Sequence, residues 1–122
     1  MFGRKNRENA IFKCHVTYGG GHKAHPGPIE TNLLVYKDRI ELEALELKIP
    51  FSIMMDVKFT TKPPLDVGVA DTGGKPCSVI EYRERIEMQQ IVMFVASLAN
   101  SKKLEKANNM IHDRMLEIRQ KD

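Results

Sequence analysis

What the chain lacks bounds it first. No apolar run approaches the length needed to cross a bilayer; the longest, Ile91–Ala96, is six residues, right for a strand. Behind the opening Met-Phe-Gly-Arg-Lys-Asn-Arg there is no apolar signal-peptide core, so no secretion is expected and a cytoplasmic location is. Gly3 is not at position 2, so myristoylation is not indicated. There are only two cysteines, Cys14 and Cys77, which in an unsecreted chain read as free thiols rather than a bridge. No C-x-x-C or H-x-x-x-H spacing occurs. The net charge of +3 is spread along the chain, whereas dedicated nucleic-acid binders concentrate Lys and Arg. Basic residues are also not interleaved with aromatics, which single-strand binders use for stacking. There is thus no strong nucleic-acid signal, and a weak contact through the basic N-terminus ranks third among functional readings.

What is present is one domain's worth of alternating strands. The 122 residues are enough to bury a core without disulfides or a structural metal. Residues 1–9 read as a flexible basic N-terminus and 10–122 as a single domain. From Ala10 to Tyr18, Phe12, Cys14, Val16 and Tyr18 alternate with Lys13, His15 and Thr17, a half-buried strand. Four glycines and two prolines in residues 19–28 then predict a flexible loop. Further strands are expected at Glu30–Lys37, at Ile40–Ala44, in the extended piece Lys48–Phe51, and at Ile53–Phe59 with Ile53, Met55, Val57 and Phe59 on one face. A brief strand at Val67–Ala70, a strand around Ser78–Arg83, a turn near Glu84-Arg85 and a last strand of about Ile86–Val95 complete the set.

The period then changes. Leu104, Ala107, Ile111, Met115 and Ile118 form one apolar stripe at helical spacing, with Asn100 or Ser101 as cap. A helix with one apolar stripe must dock, and the strand set is the available surface. The expected fold is therefore mainly β with one C-terminal α-helix.

Several segments resemble prokaryotic members of the pleckstrin-homology-like superfold. The hairpin Leu33-Leu34-Val35-Tyr36-Lys37-Asp38-Arg39-Ile40-Glu41-Leu42 looks like their second and third strands, and Ile49-Pro50-Phe51-Ser52-Ile53 like the stretch that opens their fourth. Val79-Ile80-Glu81-Tyr82 followed by Gln90–Phe94 resembles their last hairpin, and the helix with Ala107-Asn108-Asn109-Met110-Ile111 and Arg114 their closing helix. The resemblance implies a seven-stranded antiparallel bent barrel capped by the helix. It also implies a non-enzymatic binding or assembly module, without cofactor, that meets a protein partner or itself. Weak contact with an anionic lipid or membrane surface is the other partner class it admits. Lys13 followed by Lys37-Asp38-Arg39 can be set against the basic motif of lipid-binding members, but Lys37 and Arg39 fall at a turn with Asp38 between them.

Candidate sites follow from the residues. The loop at Gly20, Gly21, His22, Lys23 and His25 is the most ligand-accessible, because glycine exposes backbone amides and Lys23 adds charge. It is not a nucleotide loop, since no Ser or Thr follows Lys23 and a strand comes next. His22 and His25 with Cys14 or His15 would be metal donors for an alternative reading, a small-ligand or metal-dependent catalytic barrel; Cys14 and His15 face opposite ways, so no metal site is expected. Glu41, Glu43 and Glu46 read as one wet strand face that discourages aggregation. Finally, Ile91, Met93 and Val95 are expected to point outward, with Leu33 or Val35, as a self-association interface, unless the helix covers them.

Overall fold

Cys14, Val16 and Tyr18 turn inward while Lys13 and His15 face out, and the chain from Phe12 to Gly20 is accordingly a strand, β1. The structure is a computed structural model in which residues 9–25, 27–62, 75–85 and 88–121 are described. The remaining strands are β2 (Ile29–Val35), β3 (Arg39–Leu42), β4 (Leu47–Pro50), β5 (Met54–Thr60), β6 (Cys77–Arg85) and β7 (Met88–Val95), followed by the helix α1 (Ser101–Lys121). The expected basic N-terminus and the brief strand Val67–Ala70 lie outside the described residues.

All seven strands form one antiparallel sheet in the order β4-β3-β2-β1-β7-β6-β5. The sheet is not closed into a barrel: β4 pairs with β3, β5 pairs with β6, and each leaves its other edge free of strand pairing among the described residues. Pro50 at the end of β4 suits such an edge, having no N–H to offer a further strand. Helix α1 packs most heavily on β5 and on the 3₁₀ turn Phe51–Ile53 that joins the two terminal strands. Its stripe is buried as the spacing requires: Leu104, Ala107, Ile111 and Met115 share one core with Tyr18, Leu33, Ile40, Phe51, Ile80, Val92 and Phe94.

Two polar contacts orient the helix. The Ser78 hydroxyl donates to Asn108 Oδ1 at 2.7 Å with both side chains buried, and Arg114 Nη2 donates to the Lys37 carbonyl at 2.6 Å. A hydrogen bond inside an apolar interface tolerates no sliding, because a shifted register would leave two buried polar groups unpaired.

Three expectations change. A register shift between Met54 and Asp56 breaks the alternation of β5, so Met54 and Val57 are the buried positions and Ile53, Met55 and Phe59 are only partly covered. The strand expected through Ala44 ends at Leu42; Glu43–Leu45 is a 3₁₀ turn with Ala44 exposed. The outward apolar face on β7 is not an open patch. Met93 is 0% exposed and packs with Cys77 and Val79, flanked by partly buried Ile91 and Val95. Nor does the helix cover it, since α1 packs with the core of Val92 and Phe94. Leu33 and Val35 are 0% exposed within that main core and offer no surface. No helix among the described residues is long and apolar enough to cross a membrane.

Truncating the centre of the helix stripe, Ile111→Ala, is expected to cost about 2–4 kcal/mol in urea unfolding. Met93→Glu, which sets a charge among Cys77 and Val79, is expected to unfold the chain rather than yield a folded protein of altered assembly; circular dichroism with light scattering separates the two outcomes.

Candidate functional site

The glycine-rich connection between β1 and β2 carries the sequence-derived ligand residues, and its geometry follows from what glycine permits. Gly20 and Gly21 adopt φ of 113° and 109°. A Cβ on Gly21 would sit 2.6 Å from the Ile91 carbonyl oxygen, and one on Gly27 would fall within 2.9 Å of backbone atoms of Tyr18, Gly19 and Gly20. The missing side chains let the connection fold flat on itself and on β7, and Gly20 pairs with Met93 across a register shift that follows Tyr18. The result is a tied turn rather than a flexible loop.

Side chains complete the tie. The Tyr18 hydroxyl accepts the His22 N–H at 2.9 Å and donates to the His25 carbonyl. His25 N–H donates to the His22 carbonyl at 3.1 Å. Gln90, itself buried, accepts the Lys23 N–H and donates to Glu84. His22 is buried, not solvated: Nδ1 accepts the Ala24 N–H at 3.0 Å, which makes Nε2 the protonated nitrogen of the neutral ring, and Nε2 lies 3.5 Å from a Glu84 carboxylate oxygen. The backbone amides of His22, Lys23, Ala24 and His25 are thus already engaged. Lys23 and Ala24 stand exposed at the tip of the turn.

His22 and His25 do approach, with ring centroids 5.0 Å apart, but Cys14 and His15 are not brought to them. His15 sits elsewhere on β1, with Nε2 2.8 Å from Glu30, whose other oxygen accepts the Thr17 hydroxyl. These contacts, the Thr17 bond first, hold the Glu30 carboxyl below its ordinary range. No group of three or more potential ligands that could hold a metal occurs among the described residues. Arg39 of the expected basic turn is occupied by Asp38 and Glu41, each at 2.7 Å, and lies over the Tyr36 ring.

The sequence reading missed a groove of about 520 Å³. Its floor is Ser52, Ile53, Met54 and Met55, where the Phe51–Ile53 turn enters β5. Its walls carry Arg83 and Arg85 from the end of β6 and Arg119 from the last turn of α1. All three arginines are exposed, and none has an ion-pair or hydrogen-bond partner among the described residues. No carboxylate lines the groove among the described residues. The one sequence signal was the nearness of Arg83 and Arg85 in the chain; a register shift between them interrupts the strand alternation, and Arg119 joins them only through the docking of the helix.

Burial lifts the thiols of Cys14 and Cys77 above their usual range, which leaves both as poor nucleophiles. Burial also raises the Tyr18 phenol against the opposing His22 hydrogen bond. Tyr82 is raised strongly, by burial first and then by the negative charges of Glu84 and ionised Tyr18, and its hydroxyl has no hydrogen-bond partner.

All four groups titrate at higher pH folded than unfolded. The unfolded chain therefore releases protons first, and stability present at neutral pH is lost as pH climbs past the ordinary thiol and phenol values, about 8.5 and about 10. Tyr82→Phe removes an unpaired buried hydroxyl together with the most displaced of these groups. It is expected to stabilise the fold by up to about 1 kcal/mol and to flatten the alkaline fall, as read from thermal melts at neutral and alkaline pH.

No protein-family model matches the chain, and no curated protein matches it.

Proposed function

We propose that this chain is a non-enzymatic binding or assembly module of the pleckstrin-homology-like type, and that the groove at Arg83, Arg85 and Arg119 is its docking face. The order of elements supports the first part, seven antiparallel strands followed by one helix that packs across the opening of the sheet. The arrangement of reactive groups supports a binding role over catalysis: both cysteines are buried with raised pKa values, and the His22 ring is engaged within its own turn.

The observation that carries the docking face is the convergence of three arginines from two elements, unpartnered among the described residues, beside Ile53, Met54 and Met55. Like charges brought together without a counter-charge repel, so the arrangement favours any anionic group that enters. Guanidinium forks suit carboxylates in particular, since each offers two parallel N–H donors. The partner chemistry is therefore an acidic protein segment with a small apolar residue beside its carboxylates.

The test is a titration of the ¹⁵N-labelled protein with a short poly-glutamate peptide, followed by amide shifts. Perturbations are expected to cluster at residues 52–55, 83, 85 and 119, and the apparent affinity to fall about tenfold or more in Arg83→Gln/Arg119→Gln. Shifts centred on the Lys23–Ala24 tip instead, or none at all, would sink the docking face.

A further inference from the structure

The chain itself presents an object that fits this groove. The 3₁₀ turn Glu43–Leu45 between β3 and β4 projects Glu43, Ala44 and Glu46 into solvent while Leu45 anchors it in the core. The turn is held rigid from behind: the Ala44 N–H donates to Thr31 Oγ1 at 2.8 Å, Asn32 Nδ2 donates to Glu43 Oε1 at 2.9 Å, and the Glu46 N–H closes on the Glu43 carbonyl at 3.2 Å. The Glu46 carboxylate has no partner among the described residues, and Glu43 keeps its second oxygen free of hydrogen bonds. Two carboxylates with an exposed alanine between them make a small, preorganised acidic turn.

We propose that the arginine groove of one copy receives the Glu43–Glu46 turn of a second copy. This deepens the docking-face reading and rests on it. Charge complementarity carries the proposal, with the turn held rigid before it docks. Three cations without counter-ions among the described residues line a shallow, open site beside Ile53 and Met55, and the turn brings two exposed carboxylates flanking a methyl group. A rigid turn loses little conformational freedom when it docks, so a modest contact area suffices for association.

Turn and groove share no residue, so the contact is head-to-tail. After one copy fills another's groove, an unused groove and an unused turn remain at the two ends. Such heterologous contacts build open chains, or rings where the rotation closes. Because the pairing is mainly between exposed charges, it weakens steeply with salt.

The test uses two neutralised variants of the full chain. Arg83→Gln/Arg85→Gln/Arg119→Gln abolishes the groove and keeps the turn; Glu43→Gln/Glu46→Gln abolishes the turn and keeps the groove. Thermal melts within a few degrees of wild type show that each still folds. In sedimentation velocity at low salt, the wild-type mass is expected to climb with concentration past the dimer, and to return to monomer in about 1 M salt, where screening acts beyond about 3 Å. Each variant alone is expected to remain monomeric. Their equimolar mixture is expected to form a dimer and stop there, because only one groove and one turn remain to meet. A wild type that stays monomeric throughout, a variant that assembles like wild type, or a mixture that does not pair would each overturn the proposal. Should any of these occur while poly-glutamate still maps to residues 83, 85 and 119, the docking face stands and its occupant is another protein's acidic segment; if the peptide fails as well, both readings fall.

Discussion

An open sheet with an apolar inner face must be covered, and here one helix does the covering. The seven strands leave β4 and β5 unpaired with each other, and the stripe Leu104, Ala107, Ile111 and Met115 closes one core with Ile40, Phe51, Ile80 and Phe94. Burying four such side chains contributes several kcal/mol, each at roughly 1.5–3 for the larger ones. Apolar burial alone does not set where along its axis the helix stops. The Ser78–Asn108 bond and the grip of Arg114 on the Lys37 carbonyl do that, and they in turn decide which residue of the last turn reaches β6. Arg119 stands beside Arg83 and Arg85 because of this register. The candidate docking face is thus a by-product of how the core is closed.

Much of the fold was legible because its strands obey a two-residue period and its helix a period of 3.6. The inward set Cys14, Val16, Tyr18 and the stripe on α1 are read directly from spacing. Legibility failed where the period breaks. The bulge after Met54 shifts the phase of β5, and nothing in Ile53-Met54-Met55-Asp56-Val57 marks the extra residue, since every position but Asp56 is apolar. Cys77–Ile80 and Val92–Phe94 are buried on both faces, so alternation gives no hint of which side meets the helix.

The candidate site was harder to read for a different reason. Glycine and histidine composition singled out residues 19–28, yet composition does not distinguish glycines that free a backbone from glycines that let two backbones touch. Here they do the second, and Tyr18 and Gln90 spend the polar groups of the turn. The arginine groove draws on three segments separated by up to 67 residues in the chain, from Ser52 to Arg119. Only Arg83 and Arg85 are local to each other. A site assembled by tertiary packing leaves no contiguous motif.

The flat clasp formed by Gly21 and Gly27 also sets where this protein can be altered by an engineer. A side chain at either position would press on backbone, which cannot move aside as a flexible side chain can. By contrast, a substituent at Gly19 would meet first the end of the Met93 side chain, a flexible thioether rather than backbone. Lys23 and Ala24, at the exposed tip and contributing only backbone bonds to the network, form the segment into which a fluorophore or a short epitope can be grafted without disturbing the sheet.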